Sequence, residues 1–136
     1  MADILVPIID PDDVEWAANQ AIALHRQTPA LVHLLAVRRP LPKHITRFFG
    51  AGDLQGFYQD AGLRALAPAM RLLEQAGVRY EPHVVVGRQA QSIVKFAEQL
   101  GGAQIVLRQR PEGLRESLGL GSIGSQVQHL MQAHSA

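Results

Sequence analysis

Residues 104–127 read QIVLRQRPEGLRESLGLGSIGSQV. Ile105, Val106 and Leu107 form a short apolar run with the character of a buried strand, a glycine-bearing loop follows, and Gly121-Ser122 opens a helix reaching about Ala133. The first N–H groups of a helix lack intrahelical partners and carry partial positive charge, so a strand–loop–helix start of this kind suits an anion such as phosphate. Candidate contacts are Gly121 and Ser122 at the helix start, with Arg108, Arg110 and Arg115 supplying charge from the loop.

Working outward, the preceding segments alternate in period. Residues 4–9 are apolar apart from Pro7, as expected of a parallel strand covered on both faces, with Pro7 near its end because it cannot donate to a ladder. Asp10-Pro11-Asp12-Asp13 is a helix start, with an Asx cap, a first-turn proline and acids at the positive end. Val14, Ala17, Ala18, Ala21 and Leu24 give that helix a buried stripe, and Thr28-Pro29 stops it. Residues 30–37 (ALVHLLAV) form a second buried strand, in which His33 reads as a core or strand-end histidine with a satisfied ring.

Residues 38–52 are the one long irregular segment, basic and proline-rich. Arg38, Arg39, Lys43, Arg47 and the Phe48-Phe49 pair fit a solvated flap pinned by its aromatics better than an RNA or lipid contact, given the near-neutral chain. Asp53 is expected to cap a long helix ending at Gly77, with Phe57, Ala61, Leu66, Met70 and Leu73 inward and Pro68 kinking or splitting it. Residues 78–86 (VRYEPHVVV) form a third strand, placed at an edge by Pro82. Gly87 turns the chain into a helix over residues 92–100, which buries Ile93, Phe96, Ala97 and Leu100 and ends at Gly101-Gly102. The β-α-β-α-β-α-β-α order predicts one α/β domain over residues 1–136, an open parallel sheet with helices on both faces. Ligands in such sheets bind beyond the carboxyl ends of the strands, here after Pro7, Val37, Val86 and Leu107.

Composition narrows the function. Hydrophobic content of 47% against 18% charged residues is that of a compact chain, and 136 residues suffice to bury roughly two-thirds of the unfolded surface. A net charge of +1 argues against a dedicated nucleic-acid binder. The absence of cysteine excludes thiol catalysis, disulfides and Cys-ligated zinc, and fits a reducing cytoplasm. No signal-like or membrane-spanning run is visible, so a cytoplasmic protein without membrane partners is expected. The six histidines show no metal-ligand spacing, and neither a nucleophile-elbow nor a Walker motif is present. Gly119, Gly121 and Gly124 match G-x-G-x-x-G, but roughly ten residues separate them from their strand and no strand follows the helix.

A series of matches in order along nearly the whole chain resembles the universal stress protein family: ILVPI at 4–8, Ala17 and Ala21, VVVG ending at Gly87 with Ile93 following, IVL at 105–107, and Gly121-Ser122 before the last helix. The resemblance implies an adenine-nucleotide α-hydrolase-like open sheet of order 3-2-1-4-5, of which this sequence is expected to supply the strands in order 3-2-1-4, without the fifth. It also implies a stress-response role, with one branch of the family binding ATP and another not. The ATP-binding branch has G-x2-G-x9-G-S/T after the fourth strand and an acid straight after the first. Here Arg108 and Pro111 stand at the two earlier glycine positions, Ile9 stands at the acid, and only Gly121 and Ser122 match. Arg108 fills space that glycine leaves open, Pro111 has no N–H to donate, and Ile9 accepts no hydrogen bond.

The expectation is therefore a non-enzymatic domain without tight ATP binding that acts through protein contacts, with at most weak binding of ATP, AMP or phosphate at Gly87, Arg108, Arg110, Arg115, Gly121 and Ser122. The alternative is a nucleotide or anion sensor using the same helix start. Because the fifth strand commonly builds the family dimer, a homodimer through a different interface is expected, or else cover of the fourth strand's edge by the loop at residues 109–118.

Overall fold

The computed structural model describes residues 3–108, together with 126, 127, 130 and 131. Strands β1 (Ile4–Pro7), β2 (Val32–Arg38), β3 (Tyr80–Val86) and β4 (Gln104–Ile105) form a sheet of order β3-β2-β1-β4. All three pairings are parallel, with Leu5 opposite both His33 and Ile105, and His33 in turn opposite Glu81. This is the expected sheet.

Alternation along the strands sorts side chains onto two faces, each with its own core. Ile4, Val6, Val32, Leu34 and Ala36 pack with helix α1 (Val14–Gln27) and with Leu66, Ala69 and Leu73 of helix α3 (Ala51–Gln75). Leu5 and Leu35 point the other way, onto Ala90, Ile93, Val94 and Ala97 of helix α4 (Gln89–Gln99) and onto Val127. Because side chains alternate with period two, one strand supplies both cores, which is why β1 and β2 read as unbroken apolar runs.

Asp10 begins the approach to α1: its Oδ1 accepts the Asp12 N–H at 3.0 Å, capping a 3-10 turn at Pro11–Asp13. At the other end Thr28, held extended before Pro29, closes α1. Between β2 and α3 lies a short helix, α2 (Lys43–Thr46). This segment is fastened where the Leu41 N–H donates to Tyr58 Oη at 2.7 Å and where the Phe49 and Phe57 rings meet with centroids 5.8 Å apart. The flap is thus pinned by aromatics, as expected.

Helix α3 departs from expectation in three ways. The N-cap of α3 is Gly50, so Asp53 falls in the first turn, where its charge still complements the helix dipole. Pro68 does not split α3; it is solvent-exposed, so water can take the carbonyl of Arg64 that its missing N–H leaves over. The buried stripe runs through Gly62, Leu66, Ala69 and Leu73, while Phe57 is exposed and Met70 only partly buried. Gly62 is there for proximity: a Cβ on it would lie 2.4 Å from Val84 Cγ1, so α3 rests directly on β3.

Two prolines shape the sheet rims. Gln104 N–H donates to Asp3 O and Val106 N–H to Leu5 O, so alternate residues of β1 face β4. Pro7 is next in that series and has no N–H to return to Val106, which ends β4 at Ile105 rather than at the expected Leu107. In β3 the odd-numbered residues face β2, since Arg79 O accepts from Val32 and Gly87 N–H donates to Arg38 O. Pro82 therefore points its missing donor away from β2, at the edge that no other strand pairs with among the described residues, where it interrupts no ladder. Among the described residues no helix is long and apolar enough to cross a membrane.

Candidate functional site

The strand order turns around between β1 and β4, since β2 and β3 lie to one side of β1 and β4 to the other. A crevice at the carboxyl ends of such a strand pair is where open α/β sheets hold ligands. Its walls are built by residues that follow β1 and β4. Ile9 packs into the core on the α4 side, and Asp10 is engaged by the Asp12 N–H. Neither presents a free carboxylate at the position directly after the strand.

Arg108 reaches from the end of β4 to the start of α1. Its Nη1 donates to Asp13 Oδ1 at 3.1 Å, and its guanidinium carbon lies 5.8 Å from the centroid of the Trp16 ring. Trp16 is itself packed against the core at the start of α1. With the arginine about half exposed, an ion pair and a cation–π contact of this kind contribute about 0.5–1 kcal/mol each. The consequence is geometric: the cation after β4 is tied to the start of α1.

Gly87, at the end of β3, donates its N–H to Arg38 O at 2.9 Å, and a Cβ there would come within 2.8 Å of Ser92 Oγ. It joins the ends of β2 and β3, two strands away from Arg108 in the sheet order. Gly121, Ser122, Arg110, Arg115 and Pro111 lie outside the described residues.

A second constellation lies toward the amino ends of the strands, on the α4 face. His33 is 4% exposed, and its Nδ1 is 3.0 Å from His83 Nε2. Glu81 Oε2 is 3.7 Å from His33 Nδ1 and 3.8 Å from His83 Nε2. On the other side of the His33 ring, Asp3 Oδ2 is 3.5 Å from Nε2, a buried nitrogen with no hydrogen bond among the described residues. The ring expected to be satisfied is therefore satisfied at one nitrogen only. Phe96 of α4 roofs the pair, its ring centroid 4.7 Å from that of His83 and 6.4 Å from that of His33. Burial pushes the His83 imidazole below its ordinary value; the neighbouring His33 adds to the shift and Glu81 opposes it.

Sequence spacing does not link these residues, because the connection runs through strand pairing. The available signal was weak: Glu81 and His83 alternate on one strand face, and His33 occupies the neighbouring buried strand.

Comparison with known proteins fits the sheet and helix arrangement. No curated protein sequence matches the chain. The fold is similar to that of the universal stress protein from Archaeoglobus fulgidus in complex with dAMP, at 22% identity and TM-score 0.64 over 93% of this chain and 89% of that one. A universal stress protein in complex with cAMP is similar at 18% identity and TM-score 0.68, over 94% and 89% of the two chains. UspA from Lactobacillus plantarum is similar at 21% identity and TM-score 0.64, over 93% and 89%. The model of the universal stress protein family matches residues 1–132, nearly the entire sequence, and the chain belongs to that family.

Proposed function

We propose that this domain serves in the stress response as a non-enzymatic module that binds ATP weakly at most and works through protein contacts. The observation that carries the reading is the engagement of Arg108 by Asp13 and Trp16 across the crevice between β1 and β4. A phosphate there would have to share the guanidinium with Asp13 and Trp16, while Ile9 offers no carboxylate to a ribose or base and Asp10, one residue later, has an oxygen engaged by the Asp12 N–H. Each charge-assisted hydrogen bond missing from such a site weakens affinity by about 1.5–3 kcal/mol. Pro111 and the arginines at 110 and 115 belong to the same reading on sequence grounds.

Protein contacts have an available surface on the pinned flap, where Phe48 is 78% exposed beside Arg47, with Ile45 and Phe57 also exposed. The first partner in this reading is a second copy of the chain in the cytoplasm. Sedimentation showing only monomer at high concentration would remove that element.

A nucleotide or anion sensor is the second reading. Similar folds were captured with dAMP and with cAMP, and on sequence grounds Gly121-Ser122 is expected to open a helix with Arg108, Arg110 and Arg115 preceding it in the chain. Titration calorimetry with ATP, AMP and inorganic phosphate separates the two. Weak, salt-sensitive binding of all three anions is expected. Micromolar ATP affinity, competed by AMP but not by phosphate, would overturn the first reading in favour of the second.

A further inference from the structure

His33 Nδ1, His83 Nε2 and Glu81 Oε2 converge from two neighbouring strands with separations of 3.0, 3.7 and 3.8 Å. A triangle with these sides has a centre about 2 Å from all three corners, which is the bond length of zinc to imidazole nitrogen and carboxylate oxygen. We propose that this cluster is a binding site for one divalent transition-metal ion of the zinc type, with His33, His83 and Glu81 as ligands and water in the remaining position.

The surroundings favour a cation at this point. Asp3 lies 3.5 Å from His33 Nε2 on the far side of the ring, a placement that favours the tautomer with the proton on Nε2, in which the Nδ1 lone pair faces His83 and Glu81. In that tautomer His83 Nε2 supplies the one proton shared with His33 Nδ1, and a metal ion in the same place would replace that proton while also engaging Glu81 Oε2, which at 3.7 and 3.8 Å hydrogen-bonds to neither nitrogen. Asp3 also stands where an outer carboxylate stands in many metal sites, behind the ligating ring and able to receive its other N–H. With the ion bound, the buried His33 Nε2, now without a hydrogen bond, has reason to close on Asp3.

The donor set fixes the chemical class. Two imidazoles and one carboxylate suit zinc, and also nickel and copper, rather than calcium or magnesium, which prefer all-oxygen shells. Glu81 is half exposed at the edge strand, so an ion and its water can enter from solvent while Phe96 covers the inner side. Binding would fasten β3 to β2 and, through Asp3, to the segment leading into β1. The site is at the opposite end of the strands from the crevice at Arg108, so it stands independently of any nucleotide reading.

The test is calorimetry of the untagged full chain with Zn²⁺, paired with visible absorption of the Co²⁺-loaded protein. One ion per chain is expected, together with the intense d–d bands of a four-coordinate cobalt site. His83→Gln and Glu81→Gln, both at the accessible edge, should each weaken binding more than ~10-fold and remove those bands, and Asp3→Asn should weaken it by ~10–100-fold. His44→Gln, on the flap, should leave both readouts unchanged. Absence of stoichiometric Zn²⁺ binding, or binding and cobalt bands that survive both His83→Gln and Glu81→Gln, would overturn the proposal.

Discussion

Replacing Gly62 by alanine sets two effects of opposite sign against each other. In an ordinary helix interior the change stabilises by about 0.5–1 kcal/mol, because alanine gives up less backbone freedom on folding. Here the added Cβ would lie 2.4 Å and 2.5 Å from the two methyl carbons of Val84 and 3.0 Å from its Cβ. Carbon atoms in contact sit about 3.5–4.0 Å apart, so α3 and β3 would have to separate by roughly 1 Å. Turning Val84 about χ1 gives no relief, since the valine Cβ itself is too close. Overpacking of this kind costs about 1–3 kcal/mol, leaving a net loss of about 1 kcal/mol after the gain in helix propensity. For a domain of this size that is a fall of roughly 3–5 °C in Tm. Urea unfolding followed by circular dichroism should show a lower midpoint with an unchanged slope. Adding Val84→Ala removes the two nearest atoms, so the pair should couple favourably by about 1 kcal/mol in a double-mutant cycle. Stabilisation by Gly62→Ala alone, or strict additivity with Val84→Ala, would refute the close-approach argument.

Gly56, on the exposed side of the same helix, has open space where a Cβ would stand, with nothing within 4 Å, so Gly56→Ala should stabilise by about 0.5–1 kcal/mol in the same urea assay. Tyr80 donates its hydroxyl to the Glu74 carboxylate, and this hydrogen bond, with smaller contributions from burial and from the charge, raises its pKa above the ordinary 10.0. Since the folded form holds that proton more tightly than the unfolded chain, the contribution to stability is complete below pH 10 and is lost as pH rises through the folded-state value. Ultraviolet absorbance titration of a Tyr58→Phe protein should place the Tyr80 midpoint above 10, and Glu74→Gln should bring it down.

What could be read without coordinates depended on whether the cause was local. Asp10-Pro11 before α1, Thr28-Pro29 after it and the apolar stripe of α1 act within a few residues, and the sequence shows them directly. Pro82 marked β3 as an edge because a strand interior rejects proline. Other features are set by partners far along the chain. β4 stops at Ile105 because of Pro7, about a hundred residues earlier and visible only once the two strands are paired. The inward position in α3 falls at Gly62 and not Ala61 because Val84 lies against it. The same holds for the sites. Arg108 reads as a free cation in a loop until α1 brings Asp13 and Trp16 to it, and His33 has no acid near it until Glu81 and Asp3 arrive from adjoining segments.

The outward-facing proline of β3 bears on what the protein avoids. An uncovered strand is a template onto which another extended chain can zip, hydrogen bond by hydrogen bond, and that is how native sheets begin to grow into aggregates. Along this rim the donors come from alternate residues, and Pro82 removes the one between Tyr80 and Val84. A peptide laid along the edge would meet a gap in mid-strand, flanked by the charge of Glu81. The gap leaves the pairing with β2 untouched, so this rim resists the addition of a further strand without giving up a bond within the sheet.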